Sequence, residues 1–474
     1  MKKIIIIAAG ISLFTACSKD RLAKLNIDEK NPTIVPSQTL FSNAQKNMAN
    51  ILADANPNDN IFRLISQQWT QTTYTDESNY DLNTRTVPDL WWGILYRDCL
   101  RDFEEAKKLI PNDVKDASIM ANELAIADIH EVYVYFHLIN TFGDIPYTQA
   151  LDATILFPAY DDAQTVYYDL LDRLDADIAA LDASSESFNG ADLIYGGDVT
   201  QWKKFANSLK LVMGMEISDS DPAKAKSVVE SASAGAFTSN DDNAVFNFLT
   251  APPNTNPVWV NLVQSGRDDY VPASTIINIL KDRNDPRLPA YFTTDRNGGY
   301  SGGTPGDGNT FAIFSHVTDA QELPEAPYTI LDYAQVEFIL AEAVERGMNV
   351  GGTAEEHYNE AITASIEDWG GTTAEATTYL AQPSVNYATA PGTYKQKIAM
   401  QEYIALYNRG FDAWTLVRRL DYPTLAEPVQ AQSDFPVRFT YPILEQNINT
   451  SNYNNASNAI GGDAVTTKLF WDLY

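Results

Sequence analysis

The sequence predicts a mainly α protein: a scaffold of paired helices, interrupted by a long loop-rich insert and followed by an irregular C-terminal tail. Three observations carry that expectation. Apolar residues recur at the 3.6-residue helical period in many separate runs. Two of these runs, 332–345 and 353–369, are joined by a Gly-rich turn at 347–352. From Phe237 to Tyr328 the periodicity gives way to Pro, Gly, Asn and Asp, the residues that punctuate loops.

Taken in order, Ser42–Ala55 and Ile61–Trp69 read as helices. Gln71–Pro88 is polar, rich in Thr, Asn, Asp and Tyr, and reads as a long loop. Leu90–Ile110 is a helix that Pro111 should end. Ser118–Thr141 follows, stopped by Gly143 and Pro146. Thr165–Leu181, Val199–Ile217 and Ala223–Ser233 are further helices. In the insert only Ala244–Leu249 looks strand-like and only Ala273–Lys281 looks helical. The pair at 332–369 has the spacing of a helix–turn–helix repeat of about 34 residues, so the scaffold is expected to be tetratricopeptide-like. From Ala426 to Tyr474 the chain reads as irregular.

The most distinctive run is Tyr394–Pro423. Ala399, Tyr403, Tyr407, Gly410, Trp414 and Val417 fall on one helical face. Lys395, Lys397, Glu402, Asn408, Arg409, Asp412 and Arg419 fall on the other. Gly410 either permits close packing or separates two helices. Arg418 and Arg419 are expected to pair with carboxylates of the chain itself.

No Gly/Ser or Pro-rich linker divides the 474 residues, so 37–474 is expected to form one domain, with the insert at about 237–328. The formal charge of −30 repels nucleic-acid phosphates, and no basic patch with interleaved aromatics offsets it. At the N-terminus, Lys2 and Lys3 precede an apolar stretch, Ile4–Phe14, and then Thr15-Ala16-Cys17. That order is a secretory signal over 1–16, too short to span a bilayer. Its small residue abutting Cys17 resembles a bacterial lipobox, which makes Cys17 the lipidation site and 17–36 a tether and extended segment. Cys99, the other cysteine, then has no partner and is expected to be a buried apolar side chain.

Catalytic signatures fail on inspection. Gly299–Gly303 fits G-x-S-x-G around Ser301, but a nucleophile elbow needs a strand before and a helix after it. His130-Glu131 starts like a zinc-protease helix, yet position 134 is Val. No phosphate-cradling loop occurs. No cofactor is expected, although Asp241, Asp242 and Asp295 could hold a structural calcium ion. What remains is aromatic residues in and beside loops. A sugar ring offers an apolar C–H face to an aromatic plane, and its hydroxyls need Asn, Asp, Arg or Gln. The candidate ligand-binding residues are therefore Trp69, Tyr74, Asn79, Tyr80, Arg85 and Trp91 around the first long loop. Trp259, Arg267, Tyr270 and Tyr300 are their counterparts in the insert.

Seven segments in order carry a family resemblance: NIDEKNPTIVP after the lipobox, FGDIPY, NDPRLPAYF, ILAEAVERG, YNEAITASIEDWG, QEYIALYNRGFDAWTLVRRLDYP, and RFTYPILEQNINTSNYNNA with KLFWDLY. Together they resemble the SusD/RagB family of Bacteroidota outer-membrane lipoproteins, in its branch described as starch-binding and associating with the outer membrane. The resemblance implies a non-enzymatic surface protein anchored through Cys17. It implies a partner, a SusC-like TonB-dependent outer-membrane transporter, to which captured oligosaccharide, or peptide in RagB-like members, is passed. The family's ligand residues vary, so the loop aromatics rest on their own chemistry.

Overall fold

A computed structural model describes residues 35–474. The signal peptide, Cys17 and most of the extended segment lie outside the described residues. The chain is mainly helical, as expected. Helix α1 (Ser37–Ala53) leads into a single turn, α2 (Phe62–Ile65), and a short strand, β1 (Trp69–Gln71). Helices α3 (Val87–Ile94) and α4 (Arg101–Asp113) run on through a π segment, Leu95–Leu100, that buries the unpaired Cys99. Then come α5 (Ala117–Phe142), α6 (Ala163–Ala180), α7 (Val199–Glu216) and α8 (Pro222–Ala232). Consecutive members pack side by side. Asp116, Asp162, Asp198 and Asp221 cap the N-termini of these four helices, accepting from backbone N–H groups.

The insert holds β2 (Ala244–Phe246), β3 (Tyr270–Pro272), α9 (Ser274–Asp282), the turn α10 (Leu288–Tyr291) and β4 (Tyr328–Leu331). Both sheets are two-stranded and antiparallel. β1 pairs with β3 through Trp69↔Pro272 and Gln71↔Tyr270, and β2 pairs with β4. Helices resume with α11 (Tyr333–Glu345), α12 (Ala354–Asp368), α13 (Thr373–Leu380), α14 (Tyr394–Ala405) and α15 (Gly410–Leu420). Capping boxes at Thr353/Glu356, Thr372/Glu375 and Thr393/Gln396 start α12, α13 and α14. α11 packs on α12, α14 and α7 and so touches both groups of helices; beside the main core, a second hydrophobic cluster around Phe338, Tyr358, Tyr379 and Ile398 sits among α11–α14.

Both readings of Gly410 hold. The run 394–420 is two helices, broken where Asn408 adopts φ 67°. Gly410 then starts α15 against the backbone of Phe62 and Arg63. Around this contact the rings of Trp91, Phe411, Trp414 and Phe439 all lie within 5.1 Å of the Phe62 centroid. Arg63 closes the seam, donating to the carbonyls of Ala53 and Asp54 at the end of α1 and to Asn408 Oδ1.

The structure corrects several expectations. Ile61–Trp69 is helical only over Phe62–Ile65, because Gln67 takes φ 54° and sends the chain into β1. Pro111 lies inside α4, which continues to Asp113. The tail contains two helices, α16 (Ile443–Ile448) and α17 (Thr450–Ala459). On the polar face of 394–420 Glu402 and Arg409 are buried and the rest is half-buried: Arg409 pairs with Asp332 at 3.0 Å and Asp412 at 3.1 Å, and Arg419 with Glu342 at 2.7 Å. Arg418 departs from its expected carboxylate pairing. It donates to the carbonyls of Asn140 and Val437 and stacks on Trp414.

Buried acids give the core a pH dependence. Burial lifts Asp59 to about 8, aided by the charge of Asp54, and Asp177 to about 9, aided by Asp128. It lifts Glu216 to about 7 and Glu402 to about 8 against the pull of nearby arginines. These acids keep their protons in the folded chain after the unfolded chain has released them, so stability falls as pH climbs towards those values. Buried His130 and His137, lowered to about 4, work in the other direction. Their contribution is whole above about pH 6.5 and lost on acidification. Urea unfolding should therefore show stability dropping between about pH 6.5 and pH 8, by about 1 kcal/mol per pH unit for each acid still protonated. A rise across that interval would contradict these protonation states.

Candidate functional site

The β1–β3 pairing brings the first long loop onto the insert. Thr72 N donates to the Asp269 carbonyl at 2.9 Å, and Thr72 Oγ1 donates to that of Asp268. Asn309 Nδ2 reaches back to the Gln71 carbonyl at 2.9 Å. Asn79 is the main staple. Its Nδ2 donates to the carbonyls of Thr75 and Gly306, each at 2.8 Å, and its Oδ1 accepts from Gln430 N at 2.9 Å. A side chain at Gly306 would meet Asn79 Oδ1 at 2.1 Å, so glycine is required at that approach. Glu77, fully buried, pairs with Arg85 at 2.6 Å and accepts from Gln71 Nε2 at 2.6 Å. The loop is therefore a braced surface.

On this brace Tyr74 stands out. It is 66% exposed and holds φ 53°, a left-handed conformation costing an aromatic residue about 1–2 kcal/mol. Tyr80, at φ 64°, turns inward instead, where its hydroxyl accepts from Gln67 Nε2 at 3.1 Å. No hydrogen bond among the described residues ties down the Tyr74 side chain, and its ring is exposed. Exposed Arg267 lies within electrostatic reach: its pKa is raised first by Asp269, paired at 2.5 Å, and further by Tyr74. Exposed aromatic and guanidinium groups are thus set on the two segments that β1 and β3 join, chemistry of the kind that stacks on and hydrogen-bonds a polyhydroxylated ligand.

The other candidates divide. Trp91 is fully buried, donating to Thr141 Oγ1, and belongs to the Phe62 cluster. Trp69, also buried, donates to the Tyr407 hydroxyl at 3.2 Å, and Tyr270 donates to the Ala55 carbonyl at 2.7 Å. Both sit on β1 or β3 with their rings turned to the core, so these three are corrected from ligand contacts to scaffold. Asn79, Tyr80 and Arg85 brace the face from beneath. Trp259 is half-buried beside exposed Val260 and Val263, and half-buried Tyr300 accepts from Lys281 Nζ through its carbonyl; no hydrogen bond joins either to Tyr74. Sequence reading missed Thr72, Asp269 and Asn309, whose roles arise only from strand pairing.

Ser301 lies among turns, with no strand before it and no helix after it, so it forms no nucleophile elbow. Asp242 is used by Lys204 and by Thr238, and Asp295 caps the turn at Asn297 and Gly299.

The sequence profile of the SusD-like family, described as starch-binding and associating with the outer membrane, matches residues 29–442. Among solved structures, one titled a chitin-binding protein is 26% identical, covering 92% of this chain and 100% of its own, with a TM-score of 0.81. A SusD homologue from Bacteroides uniformis is 26% identical, with a TM-score of 0.78 over 92% and 99% of the two chains. A chitin-binding SusD homologue from Flavobacterium johnsoniae is 24% identical, with a TM-score of 0.78 over 92% and 99%. No curated protein matches the sequence.

Proposed function

Because this chain belongs to the SusD-like family of starch-binding proteins that associate with the outer membrane, we propose that it captures oligosaccharide on the Tyr74–Arg267 face. It then passes the ligand to a partner SusC-like transporter while held at the membrane through Cys17. No described helix is long and apolar enough to cross a membrane, which accords with a lipid anchor. The observation that carries the binding assignment is the strained, exposed Tyr74 on a braced loop. A flexible loop would relax that φ, whereas here the loop is tied to the insert and, through Asn79, to residue 430.

Calorimetric titration with maltooligosaccharides, chitooligosaccharides and short peptides tests the proposal. Binding of one of the two glycan series is expected, and Tyr74→Ala should weaken it about tenfold, the size of a central aromatic contact. Because the substitution leaves no cavity, folding stability should not fall. Silence across both glycan series, or full affinity in both Tyr74→Ala and Arg267→Ala, would overturn the assignment. A response to peptides alone would place the chain with the peptide-binding members instead.

A further inference from the structure

The end of α12 opposes its own dipole. The last turn of a helix carries partial negative charge, which favours Lys or Arg there. The last turn of α12 holds no basic residue and ends instead in Glu367 and Asp368. Glu367 accepts from Thr373 Oγ1 at 2.6 Å. Asp368 is exposed, accepts only from Asn243 Nδ2 at 3.1 Å, and has no ion-pair partner among the described residues. A cation is therefore missing where two carboxylates and a helix C-terminus meet.

Asp368 opens onto a cleft of about 490 Å³ between the insert and the helical scaffold, within the about 300–1,000 Å³ usual for small-molecule sites. The charged side chains that line it are Asp332, Asp368 and Arg409. Arg409 is held by Asp332 at 3.0 Å and by Asp412 at 3.1 Å. It thus has no charge to spare for Asp368 or for an anionic ligand.

The wall next to Asp368 is aromatic. Trp369 is half-buried and packs edge-on against Tyr291 at 4.5 Å, which fixes the indole. It meets Tyr407 at 5.6 Å and 55°, and Tyr407 in turn stacks on Tyr291 at 4.2 Å. Pro289, Ala290 and Pro327 add apolar surface. An indole face beside an unpaired carboxylate attracts an organic cation, whose charge both groups stabilise. A bare metal ion fits less well, since no group of three His, Cys, Asp or Glu is arranged to hold one among the described residues, and an apolar wall offers it no ligands. We propose that this cleft binds an alkylammonium ion, with a trimethylammonium head set between Trp369 and Asp368. The inference uses only the cleft's own groups and is independent of the Tyr74 assignment.

Saturation-transfer NMR on the folded chain at low salt tests this, with choline and its uncharged isostere 3,3-dimethylbutan-1-ol each to about 10 mM, the range for millimolar affinity. Choline should show transfer, and the isostere should bind at least about tenfold more weakly. Asp368→Asn keeps an acceptor for Asn243 and removes a charge that opposes the α12 dipole, so its unfolding midpoint should not fall. It should nevertheless weaken choline about three- to tenfold. Trp369→Leu, compared at a temperature where circular dichroism shows it folded, should weaken choline by a similar factor, while Tyr74→Ala should leave it unchanged. No transfer from choline, equal affinity for the isostere, or choline binding unchanged in both cleft variants would overturn the proposal. Transfer lost in Tyr74→Ala would assign the cation to the loop face and equally overturn it.

Discussion

Gly410→Ala is expected to destabilise the protein by about 3 kcal/mol, and Gly410→Val by more. A β-carbon there would stand 2.4 Å from Arg63 N and 2.7 Å from the carbonyl carbon of Phe62. Those are backbone atoms in α2, so no rotamer change relieves the contact. Either α15 moves away from α2 or α2 shifts, and both open the cluster around Phe62. Arg63 would also lose its register with Ala53, Asp54 and Asn408. Urea titration should show a lower midpoint with an unchanged slope. Gly410→Ala within about 0.5 kcal/mol of the parent would mean that the two backbones are not in contact.

Arg287→Leu is expected to cost about 3–5 kcal/mol. Arg287 is 1% exposed. It holds Asp285 through Nε and Nη2 at 2.9 and 2.7 Å, Ser365 Oγ at 2.9 Å and Gln401 Oε1 at 3.2 Å. The pair therefore joins the insert to α12 and α14. Removing the guanidinium alone strands a buried carboxylate. The double variant Asp285→Leu/Arg287→Leu removes both charges and should recover part of the loss. A double variant no more stable than Arg287→Leu would show that lost packing, and not an uncompensated charge, sets the cost.

The helices were legible because each buries a periodic stripe, and their caps are local: Asp116, Asp162 and Asp198 stand where each helix begins. α16 and α17 were not, since exposed Ile443, Leu444 and Ile448 form no stripe towards the core. The polar face of 394–420 misled for a different reason. Periodicity locates a face but cannot say whether Glu402 and Arg409 meet water or each other's neighbours. For the candidate site, the sequence names two stretches that the structure joins through β1 and β3. It could not separate Tyr74 from Trp69 or Tyr270. All are aromatics in turn-rich or strand-length stretches; β1 and β3, buried along their whole length, take Trp69 and Tyr270 inside, while Tyr74 lies past the end of β1.

The Asn79 staple bears on the order of events during folding. Its two side-chain links bridge sequence separations of 227 and 351 residues. Contacts so distant form only after long loops have closed, and that entropy is lost before the hydrogen bonds compensate it. Helix pairs such as α11–α12 can assemble from neighbours in sequence, whereas the Tyr74 display must wait until three remote segments have met. A partly folded chain would thus carry much of its helix content and none of its proposed capture surface.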